Sequence, residues 1–230
     1  MATLDIKLDP AGFPIVWVQS LNAYLHWLPV TKIQFEFFLC AEPSAQFDAR
    51  WYDDILKLNT RVSPQNITAG NYWCAFLSGI LPAEAGQFAR WCGAGYAIPS
   101  LDEWRKAYTF LKTQPVQPQA TTTALNQPGA PKVAERVQRL LTQLETVQQR
   151  LWREVDISAP TQADQMFMRL GVLEWVESNE LRNRWGGMGQ THQRFHGGFI
   201  TPDHGQPSRP NDPENMRLHH YGFRLLWRPS

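Results

Sequence analysis

The residues of this 230-residue chain that could carry chemistry are six histidines, three cysteines, and a crowd of arginines and aromatics near the C-terminus. Five of the histidines, His192, His196, His204, His219 and His220, lie beyond residue 190. Imidazole ligates transition metals and titrates near neutrality, so such crowding raises metal chemistry or proton transfer. The spacing argues against both. His192 and His196 are four apart, the interval that aligns two ligands on one helical face, but they stand in a glycine-rich stretch. His219 and His220 are adjacent and would point apart on a strand. Neither HxH nor HExxH occurs. These read as surface or contact histidines. The thiols Cys40, Cys74 and Cys92 are odd in number and widely spaced, which excludes a disulfide framework and a CxxC knuckle. They read as small buried hydrophobes. No catalytic residue and no metal ligand is assigned.

Recognition is the chemistry that the C-terminal residues do suit. Residues 181–230 hold seven Arg, no Lys and three acids, a balance of 7 − 3 = +4. Arg mixed with Trp, Tyr, His and Asn is an interface composition. The candidate contact residues are Trp185, His192, Arg194, Asp203, His204, Arg209, Asn211, His219, His220 and Tyr221. Phe199, Phe223 and Trp227 can anchor the stretch by burial, and Gly197, Gly198 and Gly222 permit close strand approach. Pro202, Pro207 and Pro210 stiffen the span and reduce the entropy lost on binding. The competing reading makes these arginines partners of carboxylates within the fold.

The elements that must position these residues are legible in part. Hydrophobic residues make 43% of the chain, which excludes wholesale disorder. Ten Trp and twelve Phe imply a core of large flat rings. A net charge of 22 − 21 = +1 disfavours a nucleic-acid binder. No apolar run approaches the ~18 residues needed to span a membrane, and no leader is evident, so a cytoplasmic protein is expected. Two apolar runs, 13–18 and 24–30, precede a helix capped by Thr31, with Ile33, Phe37 and Phe38 on one face. Residues 41–70 read as turn-rich. Residues 82–92 read as a short helix, and the capping box Ser100–Glu103 opens another that runs to about Leu111. Thr113–Pro131 reads as a flexible linker or loop. Lys132–Val155 reads as a helix with a narrow seam, Val137, Leu140, Leu144, Val147 and Leu151. That seam suits either its own domain or a partner helix. The pairs Glu103-Trp104 and Glu174-Trp175 read as structural, the rings filling core layers and the carboxylates meeting backbone or Arg donors.

Several segments, in order, resemble the formylglycine-generating-enzyme (sulfatase-modifying factor) superfamily, whose fold is a variant of the C-type lectin fold. They are 28–39 (LPVTKIQFEFFL), 82–92 (PAEAGQFARWC) with 98–107 (IPSLDEWRKA), 172–176 (VLEWV), and 195–199 (FHGGF) with 221–225 (YGFRL). The resemblance spans roughly 28–226, and 113–155 is an insertion belonging to none of its motifs. It implies a single α+β domain over 1–230, loop-rich, with a helical insertion.

The resemblance also says what is missing. The family's oxidases hold copper with a cysteine pair in the segment before the GFR motif, and 199–221 contains no cysteine. Gly171 stands where the family's calcium loop has Asn, so a structural calcium loses a side-chain ligand, though backbone oxygens could still serve. No cofactor is expected. The stretch 208–224 also resembles the ligand-binding segment of retroelement-diversified variable proteins, which ends in GFR after a polar, aromatic loop. Together these imply a pseudoenzyme that binds a protein or peptide partner through its C-terminal loops. The alternative is a metal-dependent oxidase or oxygenase of the superfamily with histidine ligands.

Overall fold

A computed structural model describes residues 4–43, 47–117, 134–154, 158–167, 172–181, 183–190 and 207–229. It is a mixed α+β structure with two sheets. Strands β1 (Ile6–Leu8), β2 (Pro14–Val18) and β3 (Ala23–His26) form an antiparallel meander. With β4 (Tyr96–Ala97) and the C-terminal β8 (Leu226–Trp227) they make a five-stranded sheet of order β1-β2-β3-β8-β4. A second sheet, of order β6-β5-β7, joins β5 (Val172–Glu177) to β6 (Trp185–Gln190) antiparallel and to β7 (Tyr221–Gly222) parallel. Residues 221–227 therefore begin in one sheet and end in the other.

Capping chemistry sets the helix starts. Helix α1 (Lys32–Ala41) opens with Thr31 Oγ1 accepting from Gln34 N and Gln34 reaching back to Thr31 N. Helix α2 (Ala49–Leu58) is capped by Asp48, whose carboxylate accepts from Trp51 N at 2.8 Å. This helix lies in the stretch that the sequence presents as turn-rich. Helix α3 (Pro82–Cys92) has proline in its first turn, and α4 (Leu101–Lys112) carries the Ser100–Glu103 capping box. The long α5 (Ala134–Glu154) and the short α6 (Gln162–Phe167) complete the set. Of the expected 113–131 linker, residues 113–117 are held: Thr113 caps α4, Pro115 bridges Thr161, and Gln117 N donates to Gln162 Oε1. The rest of it lies outside the described residues.

Two cores result. One packs the inner face of the large sheet (Val16, Val18, Leu25, Leu226) against α4, α5 and α6. The other gathers Phe35, Phe38, Phe47, Phe88, Trp175, Tyr221 and Phe223 around α1, α3 and the small sheet. The seam of α5 faces the first core: Val137, Leu140, Leu144, Val147 and Leu151 are all buried by this chain. That corrects the partner-helix reading, because a face already covered by its own domain has no apolar stripe left to offer. Gln148 fixes the register, its amide donating to Asp164 O and Gln165 O.

The Glu–Trp pairs hold the layers together. Glu174 takes both arms of the fully buried Arg224, Nε to Oε2 at 2.8 Å and Nη2 to Oε1 at 2.7 Å, and also accepts from Trp104 Nε1. The remaining Arg224 donors go to His26 O and Met166 O, and its guanidinium lies over the Phe167 ring. Trp175 Nε1 donates to Ile80 O. Arg224 sits between β7 and β8, so this one side chain ties the β3 end, α6 and β5 at the point where the chain changes sheets. Cys74 and Cys92 are buried as expected, whereas Cys40, on the outer side of the last turn of α1, is exposed. Among the described residues no helix is long and apolar enough to cross a membrane.

Candidate functional site

The segment 207–220 runs into β7, and it is the described part of the candidate C-terminal contact region. Its start is fixed to β6. Gly187 and Ser208 exchange both backbone hydrogen bonds, at 3.0 and 2.8 Å, and Tyr221 Oη donates to Ser208 Oγ at 2.7 Å. Glycine is required at 187 because a Cβ there would stand 2.6 Å from the Tyr221 ring. The middle is held by Asn183, whose amide donates to Pro210 O and Asn211 O. The far end is held by Arg217. Its guanidinium forks onto Glu84 at 2.7 and 2.5 Å and also donates to Gly79 O. Glu84 is buried and further accepts from Trp51 Nε1. Finally Ser78 Oγ donates to His219 O, and His220 O accepts from Leu173 N.

A loop tied at each end and in its middle presents a defined set of outward side chains. Asn211, Asp212, Glu214, Asn215 and His219 are exposed. Met216 is 52% exposed and is the one large hydrophobic residue so exposed among the described residues. Asn215 donates to Asp212 Oδ1, and Met216 N to Asp212 O, which shapes the tip as a turn. A flexible thioether on a fixed polar loop suits adaptable apolar contact.

The expected contact residues divide. Arg209, Asn211 and His219 are exposed on this loop, Trp185 and His220 are half-buried beside it, and Arg184 lies over the Trp185 ring. Tyr221 is not on the surface. It is 1% exposed, with its ring 4.3 Å from that of Trp175, so its flat area serves the core and its hydroxyl anchors Ser208. Burial also raises its hydroxyl above the ordinary phenol range. His192, Arg194, Asp203 and His204 lie outside the described residues, as do Gly197, Gly198 and Phe199. His219 and His220 precede the strand, so they do not alternate across it, and their rings come within 4.8 Å. Burial and the His219 neighbour lower the His220 pKa. Among the described residues no three His, Cys, Asp or Glu side chains are grouped to hold a metal ion.

Of the seven C-terminal arginines, Arg184, Arg217, Arg224 and Arg228 form ion pairs within the fold, with Glu177, Glu84, Glu174 and Glu103 respectively. For these four the fold-internal reading is the right one. The anchors Asn183, Ser208 and Arg217 and the exposed Met216 were not legible as site residues. The only sequence hint is a methionine within an otherwise polar run.

Three buried polar groups elsewhere look reactive in isolation. Lys32 is pushed down to about 7 by burial, yet its ammonium donates to Asn59 Oδ1, Thr60 O and Cys74 O, which encloses it as a strut between α1 and the neighbouring loops. Asp9 accepts from Phe13 N and Gln34 Nε2, and burial lifts its carboxyl to about 7. His26 Nε2 is 3.4 Å from Asp9 Oδ2 without hydrogen-bond geometry, and neither ring nitrogen has a hydrogen-bond partner among the described residues. Burial, with Arg224 nearby, lowers His26 to about 3. The cavity beside His26 has no room even for a water molecule.

Comparison with protein-family models, curated proteins and solved structures finds no match to this chain.

Proposed function

We propose that this chain is a non-catalytic recognition domain, of C-type-lectin-like architecture related to the formylglycine-generating enzymes, that binds a protein or peptide partner through the 207–220 surface. The observation that carries the reading is the contrast within that loop. Its backbone is fixed by Ser208, Asn183, Arg217 and Ser78, whereas Asn211, Glu214, Met216 and His219 point away from the body. A loop ordered before binding loses little entropy on binding, so its side chains convert contact into affinity efficiently. The architectural half rests on the order of the sequence motifs, on the α+β composition, and on the YGFRL segment that closes both sheets around Arg224.

The test is a pair of variants, Met216→Asp and His219→Ala, measured for partner capture and for thermal stability. Each should weaken capture by about 1–3 kcal/mol with an unchanged melting temperature. Undiminished capture by both would place the binding surface elsewhere.

A further inference from the structure

We propose that the pocket between α5 and the 61–65 loop is a binding site for a small doubly charged anion of the phosphate class. The pocket has a volume of about 350 Å³, and Arg61, Ser63, Gln65, Glu135, Arg136 and Arg139 line it together with Pro64. Three guanidinium groups from segments some seventy residues apart converge there, against the carboxylates of Glu36 and Glu135, a balance of 3 − 2 = +1.

How those donors are used decides the chemistry. Arg61 is committed: its Nε and Nη2 fork onto Glu36 at 2.7 and 3.0 Å, and Tyr52 Oη donates to the same carboxylate. Its plane is therefore fixed, and its remaining N–H groups have a set direction. Arg136 reaches Glu36 only at 3.6 Å, and Arg139 meets Glu135 at 3.4 Å, a carboxylate whose side chain is 86% exposed. A guanidinium carries five N–H donors, and among the described residues Arg136 and Arg139 spend few of theirs beside a concave polar space. Clustered guanidinium forks match the several equivalent oxygens of a phosphate better than a single carboxylate. An anion there would bridge Arg61 on the body of the domain to Arg136 and Arg139 on the inserted helix.

The experiment titrates the whole chain with inorganic phosphate and, separately, with O-phosphoserine, against chloride and succinate at matched ionic strength. Melting temperature and side-chain N–H NMR signals of arginine are followed. Phosphate or its monoester should raise the melting temperature saturably, and the shifted signals should be those of Arg61, Arg136 and Arg139. The double variant Arg136→Ala/Arg139→Ala should weaken binding at least about tenfold, as expected for losing charge-assisted hydrogen bonds. Tighter binding of the monoester would identify an esterified phosphate as the ligand, and tighter binding of the free ion an inorganic one. An effect equal to that of chloride or succinate, or shifted arginine signals elsewhere in the chain, overturns the proposal. The NMR readout decides even if the double variant folds poorly.

Discussion

At the scale of single residues, Arg224 is the side chain on which most depends, because it is wholly buried and every arm is engaged. Removing one partner strands the other as a buried charge, so Arg224→Met should destabilise by roughly 3–5 kcal/mol in urea unfolding. A loss below about 1 kcal/mol would show that water replaces the pairing. The Asp9–His26 pair sets a second expectation. Folding lifts Asp9 from an unfolded value of ~3.9 to about 7, so the folded state keeps a proton that the unfolded chain has lost, and this contribution falls as pH rises across about 4–7. Folding lowers His26 from ~6.5 to about 3, so its contribution rises with pH across about 3–6.5. The slopes oppose one another where the windows overlap. Asp9→Asn removes the falling one, so unfolding free energy measured from pH 4 to 6.5 should climb relative to wild type by up to ~1.4 kcal/mol per pH unit. Parallel profiles would mean that the pair is not buried in this way. Neither effect was readable in the sequence. A buried Asp, His or Lys looks like its surface counterpart until the fold encloses it, as Lys32 illustrates.

At the scale of elements, what could be read was what local chemistry determines. The caps at Thr31 and Ser100 mark α1 and α4, and the apolar spacing in 82–92 and 132–155 marks α3 and α5 to within two residues. Helix α2 was missed although its signal is present: Asp48 is an N-cap residue, and Trp51, Tyr52, Ile55 and Leu58 recur at helical spacing with Asp53, Asp54 and Lys57 on the other face. What the α5 seam packs against could not be read either, since a heptad stripe fits any apolar surface. Its burial turns an ambiguous stripe into a definite expectation. Leu144→Ala should cost about 2–5 kcal/mol by cavity formation, measured by denaturant unfolding of the whole chain. A cost near zero would mean that the helix detaches without consequence. In the candidate site, composition singles out the C-terminal region, but the anchors that hold its loop are not legible in it. Gly187 is one of several C-terminal glycines, and nothing in the sequence marks its place under Tyr221 and beside Ser208, which is what seats the loop. Gly187→Ala should shift that ring and destabilise by about 1–3 kcal/mol.

At the scale of the whole molecule, the chain crosses from the small sheet to the large one within 221–227, and the exposed loop immediately precedes that crossing. The loop is thereby mounted on the segment that joins both cores, and its anchors reach α3 through Glu84, the 78–79 turn and β6. A surface mounted on the best-fixed part of a domain can hold a partner without moving, which is what a recognition role asks of it. The direct test is site-specific photo-crosslinking in the native cell, with a crosslinker at position 216 and, as control, at the exposed position 112 at the far end of α4. A discrete adduct of one protein from 216, absent from 112 and lost with His219→Ala, is the expected result. No adduct from 216, or the same adducts from both positions, would contradict recognition through this loop.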